Sequence, residues 1–558
     1  MELVVGVLLV IVFVIAFIVG GLIDERQKKK IFIKKLRADY GKPSTKQYPD
    51  GRLKTIKGYA IRKNVDFLLD DITWNDLDMD RVFQKMDFSY SAAGEEYLYA
   101  MLRSPKLDET SFEELEKFVT YFMEHEEDRI KLQTLFARIG KTGKYSIFDY
   151  LDNLDTIEVK SNWKHYLGII CIAAAGILCF FQMEIGLLGL IIFCMANIMS
   201  YFSEKSKVSP YLTTFSYLLR LLQSVKELSS LKIAILDEDV KRMAVCRENC
   251  RQFYKGSNLV TTMNQASSNP AEFIWDYIKM ITHVDLIKFN HMLKLAKRCN
   301  QDFVQIFEIT GKIEAYISIG AYRKSVEYYA IPQLDTKNNH IEAQEMYHPL
   351  IDEPVANSFS VNKGMLLTGS NASGKSTFLR MTAINAILAQ TAHMALAKSY
   401  CGSMFRVYSS MALKDDLEQG DSYFIVEIKA LKRILDVVSK DKTPILCFVD
   451  EVLRGTNTVE RIAASCEILK SLSGQQIMCF AATHDIELTD LLQDSYDNYH
   501  FEETIENDDV LFNYRLMKGK ARTRNAIKLL GILGYEESII SKANKRAEEF
   551  VTKGVWNV

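Results

Sequence analysis

The segment Gly369-Ser370-Asn371-Ala372-Ser373-Gly374-Lys375-Ser376-Thr377 has the residue types and the spacing of a phosphate cradle. Its glycines free the backbone to aim successive N–H groups at one anion, and a lysine and two hydroxyls follow directly. The apolar run Gly364-Met365-Leu366-Leu367-Thr368 before it predicts a buried strand, and Phe378 to Gln390 after it predicts a helix. The loop therefore opens onto a helix N-terminus, whose dipole adds to the anion site. The chemistry expected is nucleotide binding at Gly369 through Thr377, with Lys375 on the β- and γ-phosphates and the Ser376 hydroxyl on Mg²⁺.

A second constellation supplies carboxylates. The run Ile445-Leu446-Cys447-Phe448-Val449 reads as a buried parallel strand and ends in Asp450-Glu451. Ligands of open α/β sheets bind at that end of the strands. Asp450 is then the second Mg²⁺ partner, and Glu451 the base that orients and activates water. The alternative for the pair is a solvated acidic cap on a strand. ATP and Mg²⁺ are the expected cofactors, on an α/β domain that starts near Tyr328-Tyr329-Ala330-Ile331-Pro332, where β-type residues and proline replace a helical pattern.

The chain has 558 residues, of which 48% are hydrophobic and 25% charged, enough for several cores and more than one domain. A net charge of −2 argues against a protein that coats nucleic acid. The ten cysteines are scattered, without a CxxC pair or a His-rich metal spacing, and read as reduced thiols. Cys246 and Cys250 read as one helix face rather than as ligands.

Two regions are apolar enough for a membrane. Leu3 to Ile23 carries no charge and is followed by Arg26, Lys28, Lys29, Lys30, Lys34, Lys35 and Arg37, which predicts an uncleaved anchor with the following chain in the cytoplasm. Tyr166 to Phe202 is apolar and broken only at Gln182-Met183-Glu184, which predicts a transmembrane hairpin with Lys160, Lys164, Lys205 and Lys207 on its cytoplasmic side. The alternative is a buried hairpin in a soluble core. Asp108 to Ile139, Tyr211 to Leu236 and Glu272 to Glu327 have the periodicity of amphipathic helices.

Further motifs narrow the family. The stretch from Thr368 to Arg380, Asp450-Glu451-Val452-Leu453-Arg454-Gly455-Thr456-Asn457-Thr458 and Ala482-Thr483-His484-Asp485-Ile486-Glu487-Leu488 together resemble the MutS mismatch-repair ATPases. Met346-Tyr347-His348-Pro349-Leu350 and Gly420-Asp421-Ser422-Tyr423-Phe424-Ile425-Val426-Glu427 are similar to two more of that family's segments. The resemblance also touches Phe88 to Leu98 and Lys518 to Ala543. It implies an ABC-type phosphate-loop ATPase domain plus an all-α lever domain, here with three predicted transmembrane helices. It also implies that Asn371 caps the γ-phosphate, His484 senses it, and Ser422 completes the site of a partner subunit in a homodimer. Tyr347 or His348 would lie near the adenine.

The expected division is a transmembrane anchor at 1–23, a basic linker at 24–64 and a first part of the helical core at 65–162. A transmembrane hairpin at 163–203, a second helical part at 204–327 and the ATPase domain at 328–558 complete it. The family's mismatch sensors carry a wedge domain that this sequence is not expected to contain, so DNA is left open as a partner without mismatch specificity. The basic run Lys518, Lys520, Arg522, Arg524 and Lys528 reads as a solvated tail or a local DNA contact. Leu472-Ser473-Gly474-Gln475-Gln476 imitates a transporter signature but follows the Asp450-Glu451 pair, the wrong order, and reads as a turn. The whole is expected to be an integral protein of a prokaryotic plasma membrane with its ATPase and lever domains cytoplasmic. ATP would close two nucleotide domains and move the levers. The competing reading is a membrane adaptor or transport-linked ATPase that engages an unknown protein partner and has no DNA role.

Overall fold

The computed structural model describes residues 20, 23, 24 and 26–553, apart from 64, 109–111, 144, 256–276, 337–338, 371–372, 412–422, 439–442, 454–455, 475, 507–508, 522–526, 528–529 and 531–533. The apolar run expected as the first anchor lies almost entirely outside the described residues. Residue contacts divide the chain into two units, one of residues 1–63, 86–100 and 117–325, the other of residues 64–85, 101–116 and 326–558.

The first unit is helical. The apolar stretch forms two helices, α1 (Trp163–Phe181) and α2 (Met183–Leu231), separated by Gln182, whose non-helical backbone interrupts the helical path. The break falls at the Gln-Met-Glu interruption, where apolar continuity fails. Both helices are long and apolar enough to cross a membrane over Trp163–Phe181 and Met183–Val208. Only 6% and 11% of those spans are buried, and Phe180 and Phe181 are 90% and 81% exposed. That is apolar surface that no described residue covers. Beyond Val208 the same helix continues without interruption, and Leu212, Phe215, Leu218, Leu221, Leu222 and Val225 enter a core, so one rod joins the apolar span to the helical body. The helix α3 (Asn300–Ser325) is buried along most of its length and runs through that core.

In the second unit, β1 (Gln333–Asp335), β2 (Ile341–Met346), β3 (Asn357–Val361) and β5 (Ser399–Ser403) make a four-stranded sheet in the order β1-β5-β2-β3. The strands β4 (Gly364–Thr368), β6 (Arg406–Ser410), β7 (Ile445–Asp450), β8 (Ile477–Ala482), β9 (Tyr496–Glu506) and β10 (Asp509–Lys518) make a six-stranded sheet in the order β10-β9-β4-β8-β7-β6. The pairs from β9 to β6 are parallel, and β10 returns antiparallel to β9. Every residue of β4, β7 and β8 is buried, as expected for central parallel strands covered on both faces. Helices α4 (Lys375–Thr391), α5 (Tyr423–Val438) and α6 (Thr458–Ser471) belong to this unit. Gly474, at φ +150, makes the turn between α6 and β8 that its sequence suggests.

The edge strand β6 is covered by a segment from far earlier in the chain. Thr73 Oγ1 accepts from Ser409 N at 3.1 Å, and Asp76 accepts from Ser409 Oγ at 2.7 Å and from Met411 N at 2.9 Å. Arg433, on α5, pairs with Asp70 and donates to Ser409 O at 2.5 Å. An exposed strand edge invites pairing with other chains, and residues 70–76 close this one with side-chain hydrogen bonds.

Candidate nucleotide-binding site

The site is built where β4, β8 and β7 end. β8 lies between the other two, with Leu367 opposite Ala482 on one side and Asp450 opposite Ala482 on the other. Residues that follow Ala482 must therefore emerge between the glycine loop and the acidic pair. Thr483 N donates to Leu367 O and Glu451 N to Ala482 O, each at 2.9 Å, which ties the three strand ends together.

Two glycines of the loop hold conformations that a side chain would strain. Gly369 sits at φ +145, and a Cβ there would lie 2.9 Å from Phe501 O and 3.0 Å from Ser373 Oγ. Gly374, at φ +106, forms the N-cap of α4 and would place a Cβ 3.1 Å from the Tyr514 ring. Lys375 is the first residue of α4 and is buried, and its Nζ donates to Gly369 O and Ser370 O, both at 2.8 Å. Ser370 Oγ donates to Glu503 Oε2 at 2.8 Å. Ser373 lines the cavity, and its hydroxyl is buried with no hydrogen-bond partner among the described residues. Asn371 and Ala372 lie outside those residues.

Beyond Asp450 the backbone turns sharply. Glu451 and Leu453 adopt φ +59 and +60, unusual for residues with a Cβ and a form of strain that collects at functional sites. The buried Glu427 of α5 accepts from Leu453 N, and Ser465 Oγ of α6 donates to Val452 O at 3.2 Å, so neighbouring helices hold the turn. Asp450 is buried. Glu451 Oε1 lies 2.7 Å from His484 Nε2. A carboxylate only accepts, so Nε2 carries the proton and His484 orients Glu451. Asp485, which follows, receives Arg461 in two bonds of 2.9 and 2.6 Å.

A cavity of about 480 Å³ joins these groups, within the size range of small-molecule sites. Ser373, Gly374, Lys375, Ser376, Thr377, Glu451 and His484 line it, together with His348, Val355, Phe501 and Tyr514. Of the sequence-predicted residues, Gly369, Ser370 and Asp450 do not line it but hold up its wall. Ser422 lies outside the described residues. Of the two aromatic candidates for the base end, His348 reaches the cavity and Tyr347 does not. Burial, with Arg380, Lys85 and Arg81 nearby, lowers His348 to about 4, and its Nδ1 accepts from Leu350 N at 3.1 Å, so the ring is neutral.

Tyr514 has no signal in the sequence. β10 is irregular between Phe512 and Leu516, and Tyr514 sits in that bulge at φ +54. Asn357 fills the gap in the hydrogen-bond ladder, donating to Tyr514 O at 3.1 Å and accepting from Leu516 N at 2.7 Å. Bulges re-aim side chains, and this one delivers an aromatic ring against the Gly374 turn.

The parallel sheet, the glycine turn at the head of α4 and the acidic turn after β7 define the class, an α/β domain with an ATPase-type fold. Residues 365–551 match the family described as MutS domain V. It is 31% identical over 211 residues to the DNA mismatch repair protein MutS of Pseudothermotoga lettingae, a match covering 37% of this chain and 26% of that protein. It is 30% identical over 239 residues to the protein of the same name from Lactobacillus acidophilus, covering 40% and 28%, and 29% identical over 289 residues to that of Leptospira interrogans, covering 49% and 33%. The matched part thus spans about a quarter to a third of the length of these relatives.

Proposed function

We propose that the protein binds ATP with Mg²⁺ in this cavity and hydrolyses it to ADP and phosphate. The observation that carries the reading is that a lysine at a helix N-terminus and a histidine-oriented carboxylate line one cavity, beside a buried serine hydroxyl without a partner among the described residues. In this reading the loop from Gly369 to Thr377 holds the phosphates, and Lys375 exchanges its two loop carbonyls for phosphate oxygens. Glu451, aligned by His484, takes a proton from the attacking water. Ser376 and Asp450 would hold the cation, which offsets phosphate charge when bound. Tyr514, Val355 and His348 offer apolar and aromatic surface to the base.

The exposed apolar faces of α1 and α2 support a membrane hairpin, with α2 continuing as the rod that enters the helical unit. By resemblance, two copies close on ATP, with Ser422 completing the partner's site, and any DNA contact is sequence-blind and steeply salt-dependent. Detergent-solubilised protein tests the core of this reading: Lys375→Ala should abolish both nucleotide binding and phosphate release. Unchanged phosphate release in that variant would overturn it. The membrane reading is tested with residues 24–558, which should resist carbonate extraction. Release into the soluble fraction would make the hairpin a protein-covered element.

A further inference from the structure

Away from the nucleotide cavity, the helical unit brings thiols and a carboxylate together where two helix breaks meet. The helix Asp237–Asn249 ends at Cys250, and the helix Val284–Arg298 ends at Cys299, directly before α3. Asp302 is in the first turn of α3. The Cys250 sulfur, the Cys299 sulfur and an Asp302 carboxylate oxygen all lie within 4.8 Å of one another. Both cysteines are buried, while Asp302 is half-buried beside the exposed Asn249, so the cluster is one layer below solvent and has a way in. Cys246, one helical turn before Cys250, donates to Gln305 Oε1 at 2.9 Å.

Two buried thiols alone would be ordinary packing, since cysteine behaves as a small hydrophobe. The carboxylate changes the case. A tetrahedral zinc site with Zn–S near 2.3 Å needs ligand atoms roughly 3.8 Å apart. Shifts of roughly an ångström therefore suffice to form one here. We infer that Cys250, Cys299 and Asp302 form a site for a thiophilic divalent cation of the zinc type, with water as the fourth ligand. Asn249 donates to Asp302 Oδ1 at 2.9 Å and would hold that ligand's orientation.

Binding releases the thiol protons to solvent as thiolates form on the cation, so affinity falls as pH falls. The cation would tie the ends of three helices together.

The test uses the full-length, detergent-solubilised, reduced protein, stripped of metal and titrated with Co²⁺ and then Zn²⁺. One equivalent of Co²⁺ should produce thiolate-to-metal charge-transfer absorption, and Zn²⁺ should bleach it. The double variant Cys250→Ser, Cys299→Ser should lose the band, whereas Cys246→Ser, beside the site, should keep it and weaken binding by no more than about tenfold. If the double variant fails to fold, as judged by helicity and ATP binding, the wild-type spectrum still decides. Absence of the band in reduced wild type, a band that survives in a folded double variant, or a Cys250–Cys299 disulfide in protein isolated from reducing cytoplasm would each overturn the assignment.

Discussion

In the helical unit Arg52 is buried and donates to Glu95 at 3.0 Å, to Glu96 at 3.3 Å and to Tyr145 O at 2.6 Å. Glu96 also accepts from Ser146 Oγ at 2.8 Å and Ile147 N at 3.0 Å, while Asp87 pairs with Lys46 at 3.1 Å and Lys141 at 3.3 Å. Arg52, Glu96 and Asp87 are thus each met by protein groups. In the α/β unit, Lys375 rests on two loop carbonyls, Ser373 has a buried hydroxyl without a described partner, and the Glu451 turn is strained. Buried charge by itself therefore does not mark a site. What marks the α/β region is convergence: a lysine at a helix N-terminus and a histidine-held carboxylate on a strained turn line one cavity.

The sharpest way to break this contrast is to remove the centre of the helical network. Arg52→Ala leaves Glu95 and Glu96 buried without their cation, which costs about 3–5 kcal/mol by the usual penalty for half of a buried pair. Denaturant unfolding read by hydrogen exchange in peptides from 52–62 and 92–100 should show that loss. Nucleotide affinity of the folded fraction should stay unchanged. A loss under about 1 kcal/mol would mean that the network is not a structural anchor.

The pH dependence of the two units should run in opposite directions. Full burial pushes Glu96 up to about 7 against the pull of Arg52, Ser146 and Ile147, and burial likewise pushes Glu314 up to about 7. Their folded forms bind more protons than the unfolded chain between the ordinary glutamate value and about 7, so these groups withdraw stability as pH rises through that window. His348, lowered to about 4, is neutral when folded and protonates in the unfolded chain below about 6.5, so its contribution is lost as pH falls from there towards 4. Each term is at most about 3 kcal/mol. Hydrogen exchange at several pH values should show protection falling with rising pH around Glu96, and with falling pH around His348. Glu96→Gln should flatten the first trend and leave the second. Parallel trends in both regions would refute the distinction.

Glu451→Gln comes next in size. It keeps the shape and the contact with His484 but removes the base, so turnover should fall roughly 10²-fold or more while ATP binding persists. Equal turnover in the purified variant and wild type would sink the role given to Glu451.

What could be read along the chain follows from how local each signal is. The strand Gly364–Thr368, the glycine turn and the break at Gln182 are set by neighbours in sequence and are visible there. His484 became interpretable through a family resemblance, and the reason it reaches Glu451 is the placement of β8 between β4 and β7, which no periodicity encodes. The union of residues 64–85 and 101–116 with the α/β unit depends on single long-range bonds such as Asp76 to Ser409. Such bonds leave no pattern in either segment. Tyr514 was silent for the same reason, since an aromatic in an apolar strand reads as core until the bulge is seen.

Ser373 offers the smallest effect and the finest test of the contrast. A buried hydroxyl with no partner lowers stability by its desolvation, so Ser373→Ala should leave the free protein as stable as wild type or stabilise it by up to about 1 kcal/mol. If that hydroxyl is held for a phosphate, the same change should weaken ATP binding by about 0.5–1.5 kcal/mol, the usual net worth of one hydrogen bond. Thermal unfolding without nucleotide and fluorescent-nucleotide titration, done on the same preparation, measure the two halves. A satisfied structural serine would move the first quantity down and leave the second alone. A serine reserved for ligand moves them in opposite directions, and an unchanged ATP affinity would return Ser373 to the loop's scaffolding.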